Sequence, residues 1–227
     1  MTETVHPNAP IASVDAVIFT IEDDRLKLLL YRRNTAPFEG LWALPGGFIH
    51  TDEDETTEAA MRRVLAQKTG VSGFYLEQLA TYSGPARDPR GWSLSITHLA
   101  IVPRDTLEIS SDLDARLFAI DDLPQLAFDH QKIVAEAIAR LRGKGAYSTL
   151  PASFLGETFT LSEMQRAYEL TLGTKLDQSS FRRKVLSLDI LEDTDETRQG
   201  TNRRPAKVYR LNDGMRTFDR TLGQSLA

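Results

Sequence analysis

Three stretches of this chain carry residues whose types and spacing suit chemistry. In the first, Trp42-Ala43-Leu44-Pro45-Gly46-Gly47-Phe48 runs into a segment crowded with acids, among them Glu53, Glu55 and Glu58. Glycines let a backbone approach a ligand closely, and the unpaired N–H groups at a helix N-terminus attract anions, so this segment suits a phosphate. In the second, Arg87-Asp88-Pro89-Arg90-Gly91-Trp92 sets two arginines around a tight turn, an arrangement suited to bidentate contacts with phosphate oxygens. In the third, Gln178, Ser179, Arg182 and Arg183 occupy turns of one helix away from its apolar Phe181, Val185 and Leu188. Arginine pairs with guanine edges and glutamine with adenine edges, while Ser180 and Lys184 suit the phosphate backbone. A basic loop follows over residues 198–207; its Arg203, Arg204 and Lys207 suit DNA backbone or minor groove. His6, His50, His98 and His130 form no spaced cluster and read as structural or exposed.

The elements that must hold these residues follow from apolar periodicity. Residues 14–21 and 26–31 read as a hairpin around Asp23-Asp24, and residues 76–83 and 94–102 as further strands. Residues 51–68 read as a helix with Asp52 and Glu55 at capping-box spacing, acids in its first turn and Gly70 as its stop. The acids Glu53, Glu55 and Glu58 are then cap and dipole groups rather than metal ligands. Residues 131–142 read as a helix stopped by Gly143-Lys144-Gly145. Beyond it, helices over 161–172 and 177–188 are broken by Gly173-Thr174, and short strands over 191–194 and 207–211 flank a polar loop. Thr160 and Glu163 make a capping box for the first of these helices. Helix, turn, helix, hairpin is the pattern of a winged helix-turn-helix. The domain boundary falls near 143–149, giving domains of 1–145 and 146–227.

Composition agrees with a two-part globular protein. Of 227 residues, 41% are apolar and 26% charged, which excludes a disordered or collagen-like chain. There is no cysteine, hence no disulfide, thiolate zinc site or cysteine nucleophile, as suits a reducing cytoplasm. No stretch approaches the roughly 18 apolar residues of a membrane span, and the start, Met-Thr-Glu-Thr-Val-His-Pro, does not resemble a signal peptide. The net charge of −5 argues against nucleic acid until it is divided. Residues 1–149 carry 15 basic and 21 acidic side chains, whereas residues 150–227 carry 12 and 11. Five bases and no acid lie between Arg198 and Arg210. An acidic body with a locally basic tail results.

The first segment resembles the Nudix family, whose box runs Gly, five residues, Glu, seven residues, Arg-Glu-aliphatic-x-Glu-Glu-x-Gly-aliphatic. Gly47 matches its start, and Arg63, Leu65, Gly70 and Val71 match its end. The three helix glutamates that hold magnesium in that family fall here on Val64, Gln67 and Lys68. Gly47 points to Glu53 as the first acid and Arg63 to Glu55, so the box carries a two-residue insertion. The resemblance therefore implies a kept α/β/α sandwich without catalytic residues or catalytic magnesium. Its match to Nudix domains that handle ADP-ribose makes Phe38, Gly46, Gly47, Arg62, Arg87, Asp88 and Arg90 the candidate ligand-binding residues.

Joined to a winged helix, this domain is similar to the Nudix-related transcriptional regulators of the NrtR type, from about Val14 to Leu211. Phe128-Asp129-His130, the Leu141-Arg142-Gly143-Lys144 linker, Phe159-Thr160-Leu161, the stretch from Asp177 to Lys184 and Arg204-Pro205-Ala206-Lys207-Val208-Tyr209 are its specific parts. The resemblance implies a homodimeric repressor of NAD synthesis or salvage genes, with operator DNA as partner, ADP-ribose as the effector that releases it, and no cofactor. Two alternatives stay open: a regulator of sugar catabolism with another ligand, and an active ADP-ribose pyrophosphatase. A pure protein-interaction module fits the chemistry of residues 178–184 poorly.

Overall fold

Ala16, Val17, Ile18 and Phe19 are all fully buried, and so is Val14 beyond Asp15, as an apolar run in a strand covered on both faces requires. In the computed structural model, which describes residues 9–69, 74–109, 114–199, 205–212 and 216–218, this run is the middle of β1 (Ile11–Glu22). A seven-stranded sheet is built around it. Its central path is β3 (Trp42–Ala43), β2 (Arg25–Arg32), β1, β6 (Ser93–Ile101) and β5 (Tyr75–Gly84). Two further strands join off that path, β4 (Gly46–Phe48) on β1 and β7 (Ala115–Ala119) on β2. Helix α1 (Thr57–Thr69) buries Ala60, Met61, Val64 and Leu65, and α2 (His130–Gly145) buries Ile133, Val134, Ala137 and Leu141. Both are the i, i+3, i+4 stripes of helices laid on a core.

By its contacts the chain divides into two compact units. The first takes in Met1–Phe19, Leu28–Ala100 and Leu107–Ala137; the second takes in Thr20–Lys27, Ile101–Thr106 and Ile138–Ala227. The helix expected to stop at Gly143 continues to Gly145, because an isolated glycine costs a helix only about 1 kcal/mol.

The Gly-Gly segment differs from its expected role. It does not lead directly into a helix: Gly46 and Gly47 sit in β4, paired with Asp15 and Val14 of β1, and α1 begins only at Thr57. Nor does the Asp52–Glu55 capping box form. Thr56 caps instead, its Oγ1 accepting from the Ala59 N–H at 3.0 Å. The acid that does organise the loop is Asp54, whose carboxylate takes two hydrogen bonds from the Arg63 guanidinium at 2.8 and 2.7 Å. Arg63 also donates to the Phe48 carbonyl at 3.0 Å, so one side chain of α1 clamps the acidic loop and β4 together. That guanidinium holds the Asp54 carboxyl down at about 2, with burial opposing and the His50 N–H assisting.

Close approach explains the glycines. A Cβ at Gly46 would lie 2.0 Å from the Asp15 Oδ1 and 2.8 Å from the Val14 carbonyl; at Gly47 it would meet Val64 Cγ2 at 3.0 Å. Gly46→Ala is therefore expected to destabilise the protein by about 1–3 kcal/mol in urea denaturation. A change below about 0.5 kcal/mol would mean that β4 is not pinned to β1 as described.

In the second unit, η1 (a 3-10 turn, Leu150–Phe154) and β8 (Phe159–Thr160) precede α3 (Leu161–Leu172). Thr160 and Glu163 form the expected capping box, with the Thr160 hydroxyl accepting from the Glu163 N–H at 3.2 Å and the Glu163 carboxylate from the Thr160 N–H at 2.7 Å. Gly173 ends α3 at φ +70°, a left-handed position that favours glycine. Helix α4 (Gln178–Ser187) follows, capped by Asp177, and then β9 (Leu191–Gln199) and β10 (Pro205–Leu211). β10 also pairs with β8, giving the three-stranded sheet of a winged helix. Both wing strands run longer than the sequence implies. Met164, Tyr168, Phe181, Val185, Ile190 and Phe218 form the core, and the Tyr168 hydroxyl donates to the Ser148 carbonyl at 2.8 Å.

Glu169, unremarkable in the sequence, fixes the turn between α3 and α4. Its buried carboxylate accepts from the Leu176 N–H (3.1 Å), Lys175 (3.0 Å), Arg166 (3.2 Å) and Gln165 (3.3 Å). Burial pushes its pKa up, but these donors outweigh it and hold the carboxyl below its ordinary value.

Candidate functional site

A cavity of about 500 Å³ opens in the first unit, walled by β1, the residues after β2, β4, the end of α1, the loop before β6 and the start of α2. Of the sequence candidates, Gly46, Gly47, Arg87, Asp88 and Arg90 line it. Phe38 flanks it, its ring standing edge-on to that of the lining residue Phe128 at 4.8 Å. Arg62 does not reach it: it lies on the exposed face of α1, paired with Glu58 at 2.7 Å, because the i, i+4 spacing keeps both on the solvent side.

The two loop arginines are held in place from behind. Arg87 makes a two-pronged pair with Asp129, at 3.1 and 2.9 Å, which orients it from the first residues before α2. Asp88 is buried and accepts from three donors of Arg90, its backbone N–H at 2.9 Å, Nε at 3.0 and 3.3 Å and Nη2 at 2.7 Å. The Arg90 side chain keeps the Asp88 carboxyl below its usual value, so Asp88 stays ionised and acts as the arginine's anchor. Arg90 in turn lies over the Phe48 ring at 5.4 Å.

Arg33, Lys68, Asp15 and His130 are among the lining residues not singled out as ligand contacts from the sequence. Arg33 donates to the Pro37 carbonyl at 2.8 Å and sits over the Phe128 ring at 4.9 Å. Lys68 enters from the last turn of α1, its ammonium 5.0 Å from the Tyr31 ring centre, while the Tyr31 hydroxyl donates to the Lys68 carbonyl at 2.6 Å. Asp15 is buried and accepts from Ser95 Oγ at 2.5 Å. His130, also buried, takes the Leu44 N–H on Nδ1 at 3.0 Å and faces Asp15 with Nε2 at 3.9 Å. Burial lowers the His130 pKa, which keeps the ring neutral. Lys68, Phe128 and His130 stand in stretches that the family resemblance had marked; Arg33 had no signal beyond its charge. Phe38 and Phe128 both hold left-handed backbone, φ +63° and +53°, a conformation uncommon for bulky residues.

A divalent metal does not fit this donor set. Val64 is buried beneath Gly47, Gln67 is exposed, and Lys68 brings a positive charge into the cavity. Glu58 is spent on Arg62, and Glu53 contacts His50 at 3.3 Å. Among the described residues no three carboxylate or imidazole groups converge as a metal requires. The anion-binding role assigned to the start of the helix also moves. The cavity meets α1 at its other end, where the macrodipole is negative, so positive charge here comes from side chains.

In the second unit, Gln178, Ser179, Ser180, Arg182 and Arg183 stand exposed on α4, and Phe181 and Val185 turn inward. Asp177 takes the Ser180 N–H at 2.8 Å, and Arg182 donates to Ser162 Oγ at 3.2 Å. Lys184 is half-buried. Lys207 is exposed but ion-paired with Asp193 across the hairpin, as Arg210 is with Glu192. The first wing strand is thus acidic and neutralises part of the second. Arg203 and Arg204 lie outside the described residues. No described helix is long and apolar enough to cross a membrane. A second cavity of about 580 Å³ is lined by Phe154, Phe159, Arg104, Arg166 and Arg198, but Glu22, Glu169 and Glu163 already pair with its three arginines.

Comparison with known proteins matches residues 12–141 to the NUDIX domain and residues 151–211 to the NrtR DNA-binding winged helix domain. The chain is 36% identical over 207 residues to the ADPR responsive transcriptional repressor NtrR of Acinetobacter baylyi, covering 89% of this chain and 82% of that protein. The crystal structure of Shewanella oneidensis NrtR complexed with a 27mer DNA superposes with a TM-score of 0.85 at 40% identity, covering 93% of this chain and 99% of that one. The NUDIX domain of the same protein complexed with ADP ribose matches at 40% identity with a TM-score of 0.55, covering 61% and 94%. An ADP-ribose pyrophosphatase of Methanocaldococcus jannaschii is 40% identical over 128 residues, 56% of this chain and 72% of that enzyme.

Proposed function

Because the chain belongs to the NrtR family of Nudix-related regulators, we propose that it is a transcriptional repressor that holds operator DNA through α4 and releases it when ADP-ribose fills the cavity. The observation that carries this reading is the pairing, on one chain, of an arginine- and lysine-lined cavity with an outward face of base-reading side chains. A cavity of about 500 Å³ is ordinary for a ligand of this size, and Arg87 and Arg90 are braced by Asp129 and Asp88 to meet phosphate oxygens. The Phe38–Phe128 pair and Arg33 offer flat surfaces for a nucleobase or a ribose face.

Release follows from linkage. ADP-ribose weakens DNA binding only to the extent that it prefers a conformation other than the DNA-competent one. The repressor acts as a homodimer on a two-part operator, and half-sites a helical turn apart, roughly 34–36 Å, make DNA affinity sensitive to the spacing of the two recognition helices. The genes it controls serve NAD synthesis or salvage. Domains of 1–145 and 146–227 divide the effector and DNA functions.

Saturating ADP-ribose is expected to raise the dissociation constant for operator DNA by about tenfold or more, read by fluorescence anisotropy at fixed salt. Unchanged affinity would remove ADP-ribose as the effector. The likeness to a pyrophosphatase supports a second reading, in which the chain cleaves ADP-ribose. The buried Val64 and the cationic Lys68 oppose it, and the expected result is no magnesium-dependent release of AMP.

A further inference from the structure

Five cations border the cavity of the first unit, and they are not equivalent; Arg32 lies 3.9 Å from the Asp114 carboxylate. Arg87 is matched by Asp129 and Arg90 by Asp88. Arg33 is held by backbone carbonyls. Lys68 has neither: among the described residues no carboxylate lies within ion-pair distance of its ammonium, which stands 5.0 Å from the centre of the Tyr31 ring. The side chain is nevertheless drawn inward, in the last turn of α1, next to Val64 and Leu65 of the buried stripe. A lysine of this kind ordinarily turns its ammonium to water. Arg33 stands near enough to repel it, and burial weakens its hold on its proton, with Asp15 only partly compensating. Arg33 feels the same kind of repulsion from Arg90. Three positive groups therefore crowd one partly desolvated space whose buried acids, Asp15 and Asp88, already have partners in Ser95 and Arg90. Such a cluster is balanced when an anion of more than one charge enters.

We propose that Lys68 makes a direct ionic contact with the diphosphate of the ligand, a cation built into α1 that lets this cavity bind a diphosphate without a divalent ion. The proposal deepens the ADP-ribose reading and rests on it for the identity of the natural ligand, but not for the diphosphate chemistry. It also accounts for the misfit between this donor set and a metal. At the helix end that faces the cavity, a fixed ammonium does the charge-balancing of an ion and brings no activated water with it. The ligand is then gripped between Lys68 and the braced Arg87–Arg90 pair, with no group poised to cut it.

The test is isothermal titration calorimetry of the full-length protein with ADP-ribose and, separately, with inorganic diphosphate. Each titration is run in EDTA and in magnesium, for wild type, Lys68→Met and Lys68→Arg, with thermal unfolding as a control for folding. Wild type is expected to bind both ligands equally well in EDTA and magnesium. Lys68→Met is expected to weaken both by about 10- to 100-fold, the value of one charged hydrogen bond. Lys68→Arg should recover most of the loss, since it restores the charge at a similar reach. Wild-type binding of both ligands with Lys68→Met unchanged, or binding that requires magnesium, overturns the proposal. Binding of diphosphate in a Lys68-dependent way without binding of ADP-ribose supports Lys68 and overturns the ADP-ribose reading alone. Binding of neither ligand overturns both.

Discussion

Replacing Arg182 and Arg183 together by alanine is expected to abolish specific DNA binding at moderate salt. Both side chains stand exposed on α4, one at each of two adjacent positions after the buried Phe181. Each arginine that reads a base edge contributes about 1–3 kcal/mol of discrimination, so the pair is worth about 2–6 kcal/mol, more than tenfold in affinity even at the lower bound. The substitutions leave the core of the second unit untouched, because Phe181 and Val185 carry the packing. ADP-ribose affinity should therefore stay as in wild type. Anisotropy titrations over a range of salt concentrations provide the check. If only the phosphate backbone is touched, the double variant will lose slope against salt but bind operator and random DNA in the same ratio as before. A loss of less than threefold would move the reading face off α4.

The second large effect concerns Glu169. Glu169→Ala removes the acceptor for the Leu176 N–H and for Lys175, Arg166 and Gln165, leaving a half-buried backbone donor without its partner. The expected cost is about 2–4 kcal/mol in urea unfolding, with weakened DNA binding, since the turn that orients α4 is loosened. The sign of the pH dependence follows from the depressed carboxyl. A group whose folded pKa lies below its unfolded value of about 4.3 contributes stability above that value and loses it as pH falls through the folded one. The gap in stability between wild type and Glu169→Gln should accordingly be full at pH 7 and shrink as pH drops below about 4. A gap that is flat with pH would mean that Glu169 is not ionised in the folded state.

Much of the scaffold was legible in the residues. The buried run of β1, the helical stripe of α1 and the capping box of α3 each depend on neighbours within a few positions, and local periodicity reports such neighbours well. The same holds for the outward face of α4. What escaped depends on partners distant in sequence. Arg63 finds Asp54 and Phe48 rather than leaving Asp52 and Glu55 to cap, and Arg87 finds Asp129 across 42 positions. Asp88 was read as a ligand contact; that it also anchors Arg90 depends on the fold of the loop. Lys68 was legible only as a residue that repels a metal; that its ammonium turns into a cavity is a property of the sheet it packs over. Arg62 and Arg63 are adjacent and alike in type, and only the roll of α1 sends one to solvent and the other to the loop.

Phe38 and Phe128 face each other from backbone conformations that bulky side chains rarely adopt. Such positions cost a fold on the order of 1–3 kcal/mol each, so glycine at either would relieve the chain of that burden. A library of variants selected for heat resistance alone would be drawn to these two sites early. It would return hardier proteins that have gone deaf to their signal, since of the two rings that glycine deletes one lines the cavity and the other flanks it.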